Sequence, residues 1–116
     1  PPVELLAWAR ANGGDIILTE DVAEAVDQAQ SVVTDVWVSM GQEGGNQQQD
    51  LAAYQVNEDV MKQAASDAIF MHCLPAKRGL EVSAAVIDGP QSAVFDEAEN
   101  RLHAQKAILA WCFAGK

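Results

Sequence analysis

Three short segments of this sequence carry side chains that could do chemistry, and the first begins at Asp35. A carboxylate at the end of an apolar run is costly to bury unless a cation or a hydrogen-bond donor meets it. Asp35 could therefore bind an amine, or it could cap a turn by accepting from backbone N–H groups. Ser39 and Met40 follow closely. The glycine-rich stretch Gly41–Asp50 after them could close over a ligand as a lid, or be a plain polar connector.

The second segment is His72-Cys73-Leu74-Pro75. Cys73 could be a nucleophile if another segment supplied a base, or it could be a small buried hydrophobe. Neighbouring strand residues point to opposite faces, and no second Cys or His stands at a ligand spacing, so we predict no metal site. Pro75 has no N–H and turns the chain sharply, with a cis bond as one option. The turn leaves the carbonyl of Leu74 free to face a ligand.

The third segment places Arg101 one turn into a predicted C-terminal helix. The positive end of a helix dipole is an unfavourable place for a guanidinium. The positive end of the helix and the guanidinium of Arg101 at one site would together suit an anion or a developing oxyanion. The alternative is an ion pair with Glu97 or Asp35.

The hydrophobic periodicity predicts alternating strands and helices that would carry these segments. Thr19 and Asp96 are the predicted caps of the second and last helices, and three tryptophans, Trp8, Trp37 and Trp111, are predicted to lie in the core. Such alternation predicts an α/β fold with a parallel sheet flanked by helices, in which ligands bind beyond the carboxyl ends of the strands. The predicted helices are Glu4–Asn12, Glu20–Ala29, Glu58–Ala65, Ser83–Ile87 and Glu97–Phe113, and the strands are Asp15–Leu18, Ser31–Trp37, Ala68–His72 and Gln91–Phe95.

Composition excludes several classes of function. The chain has 116 residues and a formal net charge of −10, which argues against nucleic acids and anionic membranes as partners. No apolar run reaches the roughly 20 residues of a membrane span. Two cysteines, Cys73 and Cys112, are too few for a disulfide scaffold and favour a reducing compartment. The start at Pro1 rather than Met suggests a processed or excised piece.

Together the segments resemble the ornithine carbamoyltransferases. The resemblance runs over essentially the whole chain, in the family's order. The sister aspartate carbamoyltransferases have a Pro where Cys73 stands and lack the Ser-Met-Gly sequence. The matching segments are Asp35-Val36-Trp37-Val38-Ser39-Met40-Gly41, Met71-His72-Cys73-Leu74-Pro75, and the stretch from Phe95 to Lys106.

The resemblance implies a role for each segment. Asp35 and Ser39, with the backbone at Met40, would hold the α-amino end of L-ornithine. Cys73 and the carbonyl of Leu74 would face the reacting amine and the carbamoyl group, and Arg101 would contact the carbamoyl oxygen. No metal or organic cofactor is expected.

The resemblance also implies a location in a larger protein. Residues 1–116 would be the C-terminal portion of a Rossmann-like, ornithine-binding second domain. The family's carbamoyl-phosphate domain is absent from this sequence, so we expect the chain to be inactive alone. The full-length chain would form a homotrimer in the cytoplasm, or in the mitochondrial matrix of a eukaryote. The alternatives are a non-catalytic amino-acid-binding or regulatory module and a carbamoyltransferase with another amine acceptor.

Overall fold

The computed structural model describes residues 2–38 and 50–114. Two strands, β1 (Ser31–Thr34) and β2 (Ile69–His72), form a parallel pair in which Thr34 lies opposite His72. The α-helices bounded within the described residues are α1 (Val3–Ala11), α2 (Val22–Val26), α3 (Glu58–Gln63), α4 (Ala84–Ile87) and α5 (Val94–Phe113), and a 3-10 turn covers Ala52–Tyr54. The predicted α/β fold with a parallel sheet and helices is confirmed.

The apolar core fills the space between the two strands and the three short helices. Helix α2 packs against α3, α3 against α4, and α5 against β2. Phe70, in the middle of β2, is fully buried. The other buried apolar residues are Val26, Val32, Val56, Val60, Met61, Ala64, Ala68, Val82, Val86, Ile87 and Val94.

Side-chain caps fix where the short helices begin. The Asp21 carboxylate accepts from the N–H groups of Ala23 and Glu24 at the start of α2, so the prediction that Thr19 caps this helix is wrong. Thr19 instead accepts from the N–H of Asp21 through its hydroxyl oxygen. Asn57 caps α3 and Ser83 caps α4 in the same way. Each such cap satisfies N–H groups that would otherwise lack a partner.

Helix α5 begins earlier than the sequence indicates. It starts at Val94, which is buried, and its N-cap is Ala93 without a side-chain cap, so the prediction that Asp96 caps it is wrong. The early start shortens the predicted strand Gln91–Phe95. Of that strand there remain a single bridge between Phe70 and Ser92 and the hydrogen bonds that Phe70 makes with Gln91 and Ala93. The chain cannot pair further with β2 once it has turned into a helix.

The predicted strand Asp15–Leu18 is extended chain without a partner in the described ranges, and Ile17 and Leu18 are mostly exposed. An extended segment counts as a strand only when another strand satisfies its backbone groups. Trp8 on α1 and Trp111 on α5 are 67% and 75% exposed, so they are not core residues, whereas Trp37 is half-buried. No helix within 2–38 and 50–114 has both the length and the apolar composition for crossing a bilayer.

Candidate functional site

The sheet register brings two of the predicted site residues together. Thr34 and His72 are partners at the carboxyl ends of β1 and β2, so the next residues along each strand, Asp35 and Cys73, leave the sheet side by side. The Cys73 thiol donates to Oδ1 of Asp35 across 3.2 Å. Both side chains are exposed. This is the sheet edge at which parallel α/β proteins bind ligands.

Asp35 is held as a carboxylate by donors on one of its two oxygens. Its Oδ1 accepts from the Cys73 thiol and, at 2.7 Å, from the N–H of Val36. These two hydrogen bonds hold the pKa of Asp35 below its ordinary value of 3.8. No donor from the described residues reaches Oδ2, so this oxygen can accept from a ligand amine.

Cys73 is held as a thiol by the same contact. The hydrogen bond to Asp35 raises the pKa of the Cys73 thiol above its ordinary value of 9.0, and lost hydration and the charges of Asp35 and Glu97 raise it further. A thiolate is the nucleophilic form of cysteine. Cys73 is therefore arranged as a hydrogen-bond donor rather than as an activated nucleophile.

A buried pair beneath Cys73 supports the turn that follows β2. The N–H of Leu74 donates to Nδ1 of His72 across 2.9 Å, so Nδ1 carries no proton and Nε2 does. Nε2 lies 3.3 Å from Oε1 of Glu81, without hydrogen-bond geometry, and both side chains are fully buried. Oε1 of Glu81 also accepts from the N–H of Lys77. The pair thereby joins the end of β2 to the residues beyond the turn.

Leu74 has an unusual backbone conformation that needs such support. Its φ is 50°, in the left-handed region that non-glycine residues adopt rarely, and its peptide bond to Pro75 is cis. A positive φ at a non-glycine residue persists where the surroundings over-determine it, and such residues concentrate at functional sites. The hydrogen bond to His72 and packing of the Leu74 side chain on the core provide that constraint.

Arg101 is exposed on the second turn of α5, the helix that packs against β2. Within residues 2–38 and 50–114 no acidic oxygen lies within 4.0 Å of it, so neither of the ion pairs considered from the sequence, with Glu97 or with Asp35, is formed. Its guanidinium is available to a ligand. Ser39 and Met40, and Gly41–Asp50 except for its last residue, lie outside the described residues.

Sequence reasoning missed two features of the site. It named Glu97 only as an ion-pair partner, whereas Oε2 of Glu97 is shielded from solvent without a hydrogen-bond partner in the described chain. The four-residue spacing between Glu97 and Arg101 places both on one face of a helix, and this was the sequence signal that could have indicated a role for Glu97. Sequence reasoning also did not connect His72 with Glu81, because contacts formed across a turn leave no periodic signal.

Asp35, His72 and Cys73 each place one possible metal-ligand atom within 4.8 Å of the others. The prediction that His72 and Cys73 point apart does not account for this grouping. However, His72 uses the lone pair of Nδ1 to accept from Leu74, and its Nε2 is protonated and buried. The imidazole therefore has no free lone pair for an ion.

A separate cavity of about 370 Å³ lies between α3, α4 and the turn at Gly89–Gln91. Its lining includes Met61, Val86 and Lys62 but none of the residues at the ends of β1 and β2. It carries none of the chemistry found at the sheet edge, so we place the candidate site at Asp35 and Cys73.

The chain is similar to known proteins both in sequence and in fold. A family model described as aspartate/ornithine carbamoyltransferase, Asp/Orn binding domain, matches residues 3–112. Ornithine carbamoyltransferases from Rhizorhabdus wittichii and Agrobacterium fabrum are 61% identical over 115 residues and 59% identical over 113 residues, and each alignment covers 97% of this chain and 37% of the relative. The ornithine carbamoyltransferase structure from Pyrococcus furiosus superposes with a TM-score of 0.84 at 48% identity, over 95% of this chain and 37% of that one.

Proposed function

This chain belongs to the aspartate/ornithine carbamoyltransferase family, and we propose that it forms the ornithine half-site of an enzyme that transfers a carbamoyl group. The reaction joins carbamoyl phosphate and L-ornithine to give L-citrulline and phosphate. The observation that carries the proposal is the contact between Asp35 and Cys73 at the carboxyl ends of two parallel strands.

We propose that residues 1–116 correspond to the C-terminal portion of the ornithine-binding domain. The chain spans about 37% of the length of the relatives it matches. The groups that bind phosphate would come from residues outside this sequence, and the complete protein would assemble as a homotrimer in the cytoplasm or the mitochondrial matrix. The 116 residues alone would then be inactive.

The proposed reaction assigns a task to each side chain of the site. Asp35 accepts from the α-ammonium of ornithine through Oδ2, with Ser39 and the backbone at Met40 assisting. The neutral δ-amine attacks the carbamoyl carbon, a C–N bond forms, and the C–O bond to phosphate breaks with its electron pair. Cys73 and the carbonyl of Leu74 face this amine, and the proton that it loses as it becomes an amide nitrogen passes to the departing phosphate.

Arg101 is proposed to stabilise the charge that develops on the carbamoyl oxygen. A cation aimed at that oxygen lowers the barrier because the oxygen is more negative in the transition state than in the substrate. Arg101 has no acidic partner among the described residues, so no ion pair there competes for the guanidinium.

Electrostatics favour ornithine over aspartate as the acceptor. Aspartate brings two carboxylates to the site, whereas ornithine brings two amino groups and one carboxylate. The lowered pKa of Asp35 keeps a negative charge where the amino acid would bind, and Glu97 adds a second acidic group nearby. Like charges in a partly dehydrated site repel, so a dicarboxylate would bind less well.

The proposal is tested with a chimera in which this chain replaces the matching segment of the Agrobacterium fabrum relative. We expect citrulline formation by the chimera and none by the 116 residues alone. In the chimera, Asp35→Ala should raise the KM for ornithine far more than the KM for carbamoyl phosphate, while Asp67→Ala, at the other end of β2, should change neither.

Three outcomes would contradict the proposal. An inactive but folded chimera that binds ornithine would indicate a non-catalytic amino-acid-binding module. A chimera that prefers another amine would indicate a different acceptor. Equal loss of affinity for both substrates in Asp35→Ala would contradict the role given to Asp35.

A further inference from the structure

Glu97 is the acidic side chain at this site that makes no contact with a substrate in the proposed reaction. It is half-buried in the first turn of α5, and its Oε2 is shielded from solvent. No hydrogen-bond donor in the described parts of the chain reaches that oxygen. A dehydrated carboxylate oxygen is costly unless a donor meets it in the working state. Oε2 of Glu97 is therefore arranged to accept a hydrogen bond from a donor that reaches it in the working state.

Arg101 is the donor best placed to do so. It follows Glu97 by four residues on the same helix, so the two side chains leave neighbouring positions on one face. An acid that precedes a base by four residues is also the more favourable order for an ion pair on a helix. Both side chains lack an ion-pair partner in the described chain.

Other charged side chains of the described structure already have hydrogen-bond partners. Oδ1 of Asp35 accepts hydrogen bonds from Cys73 and Val36. Arg78 is paired with Asp88 by two hydrogen bonds. Glu97 is the acid that precedes Arg101 by one helical turn, whereas Glu99, two residues away, leaves a different face of the helix.

We propose that Glu97 is a positioning residue that fixes the guanidinium of Arg101 toward the carbamoyl oxygen. This inference rests on the proposed function, because it needs a carbonyl oxygen for Arg101 to meet. A free arginine side chain has many rotamers, and a transition-state donor is effective only when it is oriented before the reaction. The planar fork of guanidinium N–H groups lets some bind Glu97 while others face the substrate.

A double-mutant cycle in the chimera tests the inference. Arg101→Lys should lower kcat/KM by about 10² or more, since lysine lacks the fork. Glu97→Gln should lower kcat by about tenfold and leave the KM for ornithine nearly unchanged. The double variant should be no slower than Arg101→Lys alone, because Glu97 acts through Arg101. Glu97→Asp, which keeps the charge, should recover part of the loss.

Glu99→Gln is the matched control, since Glu99 is an exposed acid two residues further along the same helix. It should retain full activity, and its melting temperature provides the reference for Glu97→Gln. Additive losses in the double variant, or equal kcat values for Glu97→Gln and Glu99→Gln, would overturn the inference and leave the proposed function standing. An unsubstituted chimera that forms no citrulline would overturn both.

Discussion

At the scale of single residues, the site depends on one carboxylate oxygen that accepts from two donors. Because the thiol of Cys73 and the N–H of Val36 share Oδ1 of Asp35, the second oxygen remains available, and the carboxylate is oriented before a ligand arrives. The contact exists only while Asp35 is deprotonated and Cys73 is protonated. It therefore stabilises the folded chain between two limits of pH.

The two limits follow from the direction of each pKa shift. The pKa of Asp35 is lowered in the folded chain, so its contribution is complete above the unfolded value near 3.8 and is lost as the pH falls through the lower, folded value. The pKa of Cys73 is raised, so its contribution is complete below about 9.0 and is lost as the pH rises through the higher, folded value.

We predict that removal of the Asp35 carboxylate makes Cys73 more reactive. In a Cys112→Ser background, the rate of alkylation by iodoacetamide should rise with a midpoint above pH 9.0, and Asp35→Ala should move this midpoint to lower pH. The physical reason is the loss of both the hydrogen bond and the negative charge that favour the protonated thiol. Asp67→Ala is the control, and an unchanged midpoint in Asp35→Ala would show that the contact is not formed in solution.

At the scale of the elements, the turn after β2 connects the core to the site. The core fixes β2 through Phe70, and the buried side chains of His72 and Glu81 fix the backbone that presents Cys73 and Leu74. Buried residues that make no contact with a ligand therefore fix the positions of the residues that face the ligand. Substitutions below the surface should then disturb both stability and the site.

We predict that His72→Phe lowers the free energy of unfolding by about 1–3 kcal/mol. The phenyl ring fills similar space but leaves the N–H of Leu74 without its buried acceptor and removes the imidazole that lies 3.3 Å from the Glu81 carboxylate. Urea denaturation of the chimera measures the change. His103→Phe, at an exposed position on α5, should stay within about 0.5 kcal/mol of the parent. Equal stabilities for the two variants would contradict the supporting role of His72.

The strands and helices differ in how well the sequence predicted them. The β-branched run Ser31–Trp37 and the apolar run Ala68–His72 correctly predicted two strands, because buried parallel strands have that composition, but β1 ends at Thr34, three residues before its predicted end. The rule that ligands bind at the carboxyl ends of strands correctly brought Asp35 and Cys73 to one edge. The run Asp15–Leu18 has the composition of a strand but lacks a partner in the described structure, and composition alone cannot supply one.

The helix start at Val94 shows a different limit of sequence reasoning. Asp96 is a good capping residue, and local preference therefore placed the helix start there. The burial of Val94, together with the hydrogen bonds that its neighbours Gln91 and Ala93 make with Phe70, places the start of the helix three residues earlier. Tertiary packing outweighs a cap, whose effect is typically about 1 kcal/mol.

At the scale of the whole molecule, the two longest helices contribute least to the core. Helix α1 has no buried residue, and α5 has only Val94 buried. Both expose large apolar side chains, among them Leu5, Trp8, Leu102, Ile108 and Trp111. Helical stability in proteins comes mostly from packing of an apolar face. Among the described elements, these two helices are therefore less stabilised by packing than the two strands.

We predict that backbone amides of the 116-residue chain exchange hydrogen much faster in α1 and in the last three turns of α5 than in β1 and β2. The strands are covered by the apolar core, so their amides exchange only when a larger part of the structure unfolds. Hydrogen exchange followed by mass spectrometry measures this difference. In the chimera the same helical segments should become protected. Equal protection of helices and strands in the chain alone would show that α1 and α5 are stable without further packing.

The register of β1 and β2 determines which sequence changes the contact between Asp35 and Cys73 can tolerate during evolution. Asp35 and Cys73 are neighbours because each follows the last paired residue of its strand, and neither α1 nor the far end of α5 takes part in that contact. Sequence drift in the outer helices therefore leaves the pair untouched, whereas the insertion of a single residue in either strand would separate it. Exchange of the outer helices between relatives should therefore leave Asp35 beside Cys73, provided that both strands keep their lengths.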